Sequence, residues 1–385
     1  MSFKSSKASM LPNAVLWALL LLIGTTATTS KTFAAEDSAV IAESNTPPVT
    51  NAFLGQLEPL QNARYISTPN NGHEDLIAAF NAAKKSIKIG IFGISDKLIA
   101  DSLSAATKRG VAVTVICDKY CEASPSRLAI TQQLRADGVE FYIASAGFNI
   151  SHWKMFVIDE SMVFVSTMNF ITRHQQMRDM GIFLTNPSIV QEILAVFNAD
   201  IENSKNATAL TPMVTQPNLV WSPINSENKL VQLINSAKSS IEIWIENMGD
   251  VKLQEALKNA VQRHVKVRIL TSVCGMGGPS VTAYANLSAL ALSGIMIQAV
   301  PFPASSAIPY IHAKTINVDH QTVFLGSENF SRNSLLFSRE LGLIFNDPLI
   351  ESQMANLYEA DWKQSVLLPA IPPETCTALT PSTVL

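Results

Sequence analysis

Charge is scarce in this chain. Of its 385 residues, 15% are Asp, Glu, Lys or Arg, against 47% apolar residues. That balance excludes a self-repelling disordered polymer and leaves ample material for a core. Cysteine is scarce too: there are four, Cys117, Cys121, Cys274 and Cys376. None precedes Cys117, which excludes a lipid-modified cysteine near the start. Four cysteines suit an exported protein and allow three full pairings, between which the sequence does not choose. No second His or Cys pair stands beside the Cys117/Cys121 spacing, so a zinc site is disfavoured. The glycines at 275, 277 and 278 lead into no Lys-Ser or Lys-Thr, which excludes a phosphate-binding loop of that kind.

A long membrane-spanning run is also missing. Residues 14–23 are apolar, with Lys4 and Lys7 before them and a Thr/Ser-rich tract and Ala34-Ala35 after them. Ten apolar residues fall short of the roughly 20 a comfortable span needs. The pattern is that of a secretory signal over 1–35, cut near Ala34 or Ala35. Its removal takes away Lys4, Lys7 and Lys31 and no acid, moving the formal charge from −3 to −6. A mildly acidic mature chain lacks the general attraction on which nucleic-acid binding draws.

What is present is a duplication. Residues 81–91 match residues 235–245, and the same offset of 154 carries Ile99, Leu103 and Ala106 onto Leu253, Leu257 and Ala260. Helical spacing and strand alternation give each half the opening order helix, strand, helix, strand. Proline-punctuated polar stretches divide the chain: a linker over 36–58, a first domain over 59–207, a linker over 208–222, a second domain over 223–368 and a tail over 369–385. Each half ends in a helix, near 187–203 and 348–362. The fold class expected is α/β, with a mixed sheet in each half.

The chemistry sits late in each half. His152-x-Lys154, then Asp159, Thr167 and Asn169, is repeated as His312-x-Lys314, then Asp319, Ser327 and Asn329. Strand alternation would aim each His and Lys the same way. The pattern resembles the paired H-x-K-D motifs of the phospholipase D superfamily, which includes phospholipases D, cardiolipin and phosphatidylserine synthases and certain nucleases. One departure is Ser166, where the family usually has the glycine seen here as Gly326. A serine there needs negative φ or some strain, which would shape the first half-site differently.

A phosphodiester resists attack because its non-bridging oxygens are negative. Cleaving it takes a nucleophile, cations and donors for those oxygens, and an acid for the leaving alkoxide. Two imidazoles fill the first and last roles, since histidine titrates near neutrality. Lys154 and Lys314 would clamp the oxygens, with Asn169, Asn329, Thr167 and Ser327 as donors. The resemblance implies a metal-independent reaction with no cofactor, and makes His152 the nucleophile and His312 the acid. It also places orienting carboxylates at Asp179, ten residues after Asn169, and Glu340, eleven after Asn329. Asp159 and Asp319 are counted with the site through the motif, although a structural role at a strand-end turn fits them better. Arg173, Arg332, His174 and His320 read as solvated loop or turn residues.

The sequence thus leads to two tandem phospholipase D-like αβ sandwich domains sharing one active site, in an exported, periplasmic or secreted phosphodiesterase. It would hydrolyse or transfer a phosphatidyl group through a phosphohistidine. The expected partner is a phospholipid or another phosphodiester, with a membrane surface open and nucleic acid disfavoured. An exported nuclease and a cardiolipin synthase-like transferase stand as alternatives.

Overall fold

The computed structural model describes residues 53–70, 73–272, 274, 281–300 and 309–368. The signal, the Gly-rich stretch after Cys274, the proline loop at 301–306 and the tail with Cys376 lie outside the described residues. Among the described residues no helix is long and apolar enough to cross a membrane.

The first half runs β1 (Arg64–Ser67), α1 (Glu74–Ala82), β2 (Ser86–Ile91), α2 (Lys97–Lys108), β3 (Ala112–Cys117), α3 (Pro125–Ala136), β4 (Glu140–Ile143), β5 (Lys154–Ile158), β6 (Met162–Ser166), β7 (Met180–Leu184) and α4 (Pro187–Asn206). The second repeats the plan with β8 (Leu219–Ser222), α5 (Ser226–Ser236), β9 (Ser240–Trp244), α6 (Val251–Gln262), β10 (Lys266–Ser272), α7 (Val281–Leu292), β11 (Met296–Val300), β12 (Thr315–Val318), β13 (Thr322–Gly326), α8 (Arg332–Phe337), β14 (Glu340–Phe345) and α9 (Pro348–Gln364), closed by β15 (Val366–Leu367). The repeat reaches down to the caps. Asp96 accepts from the Leu98 and Ile99 amides to start α2, and its counterpart Asp250 accepts from Leu253 to start α6. Such caps satisfy amides that a helix leaves unpaired. Helices α4 and α9 both begin on proline, whose missing N–H costs nothing in a first turn.

The two sheets share one strand order, β1-β7-β6-β5-β2-β3-β4 and β8-β14-β13-β12-β9-β10-β11, the second extended by β15. In each, β2–β3–β4 or β9–β10–β11 is parallel, and the motif strands add on antiparallel. The H-x-K stretch of the second half departs from the expected strand. Residues 312–314 leave the sheet before β12 begins, because the backbone there bonds the other half: His312 and Ala313 both donate to the Arg178 carbonyl. The first half does the same, with His152 and Trp153 donating to the Arg339 carbonyl.

Three apolar clusters follow from this plan. One lies under the α1/α2 side of the first sheet and one under the α5/α6 side of the second. The third belongs to both halves: Trp153, Met155 and Val165 meet Trp244, Leu325 and Leu343, with α4 and α9 flanking. Two buried ion pairs cross the same seam. Arg178 of the first half donates to both carboxylate oxygens of Asp361 in α9, at 2.7 and 2.8 Å. Arg339 of the second half reaches Asp200 in α4 at 3.0 Å and Thr211 at 2.7 Å. The two halves are therefore built through each other.

Asp361→Ala would strand the Arg178 guanidinium in the core. Losing one partner of a buried pair costs about 3–5 kcal/mol, so denaturant unfolding should shift by that amount. Arg178→Met combined with Asp361→Leu should recover most of it. Equal loss in the single and double variants would show that the pair does not hold the seam.

Candidate active site

The exchange between halves carries the acids to the histidines. Asp179 follows Arg178 and Glu340 follows Arg339, so each acid emerges where its arginine has tied down the opposite motif. His152 Nδ1 lies 2.8 Å from Glu340 Oε2, and His312 Nδ1 lies 2.7 Å from Asp179 Oδ1. Each imidazole is thus held by a carboxylate of the other half. Both pairs are buried. With Nδ1–H given to a carboxylate, each ring keeps Nε2 for the cleft.

The lysines arrive with them. Lys154 Nζ donates to the His152 carbonyl at 2.6 Å, and Lys314 Nζ donates to the His312 carbonyl and to Glu246 Oε2, the latter at 3.1 Å. Burial, with Lys314 near, pulls Lys154 down to about 7 against the pull of Glu340. Burial likewise lowers His152, with Glu340 opposing and Lys154 and Lys314 adding to the fall. Both lysines therefore act on His152, Lys314 from across the seam.

The remaining expected groups support the acids. Thr167 Oγ1 donates to Asp179 Oδ1 at 2.5 Å and accepts from the Met180 amide, and Ser327 Oγ accepts from the equivalent Leu341 amide. Asn169 Nδ2 lies 3.5 Å from His174 Nε2. Asn329 sits half-buried at the matching place. Burial would raise Asp179, but His312 and His174 outweigh it and hold the carboxyl well below the usual range.

Asp159 and Asp319 are corrected. They sit at the far ends of β5 and β12, where a strand's rise of about 3.3 Å per residue carries them away from the imidazoles. Asp159 accepts from the amides of Lys84, Lys85 and Ser86, and Asp319 from those of Lys238, Ser239 and Ser240. They fasten the turn into β2 and β9 and touch no site residue. His174 is corrected as well. It is buried, lies 3.3 Å from Asp179 Oδ2, and sets its ring edge against His312 at 4.5 Å. Its counterpart Ser334 serves Glu340 in the same way, at 2.5 Å. His320 does lie at a surface turn, half exposed.

Nor does Gly326 act through backbone freedom. Neither it nor Ser166 has positive φ. A Cβ at Gly326 would stand 2.3 Å from Glu328 Oε2, so the glycine makes room for a buried carboxyl. Burial, with Glu340 nearby, pushes Glu328 well above the usual range. The first half has Met168 there and can hold a serine, whose Oγ donates to the Lys154 carbonyl at 3.2 Å.

Sequence reasoning also missed Glu246. Its Oε2 is 3.7 Å from His312 Nε2, and Tyr310 donates to its Oε1 at 3.0 Å. Burial would raise it, but Lys314 and His312 hold it low and charged. At the offset of 154 its counterpart is Phe92, which sets its ring at 5.1 Å from His152. Among the described residues, ligand atoms of His174, Asp179 and His312 lie within 4.8 Å of one another, a spacing a metal ion could use. Both Asp179 oxygens already serve imidazole nitrogens, so the trio reads as an orienting network.

Burial, with His312 beside it, lowers His174 to about 3 despite Asp179. In 15N-histidine spectra, His174 should keep the pattern of a neutral ring from about pH 4 to about pH 8. Protonation near the ordinary histidine value would show that the ring is not sealed behind His312.

Comparison with known proteins agrees with this arrangement. The family described as "Cardiolipin synthase, PLD-like domain" matches twice, over residues 76–201 and 230–362. Cardiolipin synthase A of Pseudomonas aeruginosa is 24% identical over 373 residues, covering 85% of this chain and 70% of that protein. Polyphosphate kinase of Yersinia pestis is 29% identical over 211 residues, covering 50% of this chain but only 30% of its own length. Among solved structures, phosphatidylserine synthase of Haemophilus influenzae superimposes with a TM-score of 0.63 at 16% identity, over 82% of this chain and 91% of that one. The repeated domain, the shared sheet order and the doubled motif lead to one conclusion: the chain belongs to the phospholipase D superfamily, as two tandem PLD-like αβ domains.

Proposed function

We propose that the protein is a phosphodiesterase that takes the phosphatidyl group of a phospholipid onto His152 and passes it to water or an alcohol. The observation that carries this reading is the pair of imidazoles, each with Nδ1 engaged by the other half's carboxylate. His152 Nε2 attacks phosphorus and the P–O bond to the leaving alkoxide breaks. His312 gives that alkoxide its proton. Water or an alcohol then attacks the phosphohistidine, His312 takes its proton, and the P–N bond breaks. Lys154 and Lys314 hold the non-bridging oxygens as charge builds on them.

The inequality of the halves supports the order of events. His312 Nε2 lies 3.7 Å from the Glu246 carboxylate, on the side assigned to the acid. His152 makes an edge-type ring contact with Phe92, and burial favours its neutral, nucleophilic form. A phospholipid substrate is supported by the relatives named for cardiolipin and phosphatidylserine synthesis and by the acidic mature charge. An export signal over 1–35 is part of the same proposal.

Rapid quench with 32P-labelled phosphatidylglycerol should place acid-labile label on His152, and His152→Ala should abolish it. Label on His312 would reverse the roles. Efficient cleavage of DNA with no turnover of lipid would replace this reading with that of a nuclease.

The pH profile tests the lysine. His152 attacks only when neutral, so kcat/KM should rise as pH climbs through its lowered titration. Lys154 clamps only when charged, and with a value of about 7 it loses its proton just above neutrality. The profile should therefore fall on the alkaline side near pH 7. Lys154→Arg, which keeps its charge, should move that limb to higher pH whatever its effect on rate. An unmoved limb would assign it to another group.

A further inference from the structure

A cavity of about 360 Å³ opens in the first half, lined by Tyr120, Ser126, Arg127, Thr172, Arg173 and Gln176 among others. Its size suits a small headgroup. Its lining suits an anion. Arg127 lies over the Tyr120 ring at 3.7 Å and donates to the Tyr120 hydroxyl at 2.6 Å, which fixes the guanidinium against the wall. Arg173 Nε is buried with no hydrogen-bond partner among the described residues. An unpaired buried donor is costly, and a guanidinium is matched in shape to phosphate.

Two chains of contact run from the cavity lining toward the reaction centre. Tyr120 stacks on Phe92 at 4.6 Å, and Phe92 meets His152 at 5.1 Å. Arg173 lies four residues after Asn169 and directly before His174, the ring that touches His312. At the motif offset of 160, Arg173 corresponds to Asn333, which pairs with Asn149 and Ser338.

We propose that this cavity binds a second phosphate of the substrate, carried on the headgroup beside the phosphodiester that reacts. The proposal rests on the phosphodiesterase reading above. One phosphate is what the site can hold: its lining supplies two guanidiniums, enough for a single anion, and no row of cations for a polymer. A lipid whose headgroup ends in a phosphate is therefore favoured over nucleic acid.

The test uses the whole chain, with Arg127→Gln and Arg173→Gln alongside. Initial rates are compared on phosphatidylglycerol and on phosphatidylglycerol phosphate in the same mixed micelles, with melting curves confirming that each variant is folded. The unaltered protein should prefer the second lipid by about tenfold or more in kcat/KM, the scale of one charge-assisted contact. Either variant should bring the ratio toward one, and Arg173→Lys should restore part of it. A preference that survives both variants, or an equal loss on both lipids, would overturn the proposal. So would Arg173-dependent inhibition of both lipids alike by inorganic phosphate without a lipid preference, which would make this a free-phosphate site. Preferential turnover of a 5′-phosphorylated dinucleotide over both lipids would also overturn it. If the unaltered protein turns over no diester, the functional reading fails by itself, and calorimetry with inorganic phosphate decides the cavity. Binding abolished by Arg173→Gln keeps it, and no binding removes it.

Discussion

Everything in this structure hangs on two dipeptides that reach into the opposite half. Arg178-Asp179 and Arg339-Glu340 each do three things at once. The arginine side chain pairs with a helix of the other half, its carbonyl takes the amides around the other half's histidine, and the acid that follows engages that histidine. A buried carboxylate needs paired donors. Here the donors include the imidazoles, so the group that orients each ring is stabilised by the ring it orients. Neither half holds a complete site.

On that symmetric frame the halves have diverged in matched pairs. Gly90 lies under Trp153 in the first half, while the second carries Trp244 and Ala313 at those two positions. A Cβ on Gly90 would meet the Trp153 ring at 2.4 Å, so the bulk in the shared core comes from a different strand in each half. Ser166 goes with Met168, and Gly326 with the buried carboxyl of Glu328. Phe92 stands against His152 where Glu246 stands against His312. The last exchange bears most on chemistry, because one imidazole then faces an apolar edge and the other a carboxylate.

The sequence displayed the duplication well, because a period in helix and strand spacing survives divergence. Asp179 was harder to accept, lying one residue early by comparison with Glu340, yet both acids reach their rings. Other features were hidden for physical reasons. Which acid serves which histidine depends on contacts between halves, and no register along one half encodes that. Strand alternation predicted that His312 and Lys314 would share a face of a sheet. They do converge, through a segment that has left the sheet to bond the other half. Glu246 lies one residue beyond the last matched position, where Phe92 conceals the correspondence. The motif aspartates, counted with the site through the motif, take the turn role that their place at a strand end favoured, whereas His174 was misjudged, because a buried ring looked like a turn residue.

The reciprocal arginine pairs also bear on motion. Many two-domain enzymes admit substrate by swinging their halves apart about a hinge. Here such a swing would expose two buried guanidinium–carboxylate pairs and break the backbone bonds at both histidine segments, while opening a shared apolar core. At about 3–5 kcal/mol for each stranded charge, that is no routine step of a turnover cycle. The seam therefore behaves as a rigid wall and not as a hinge.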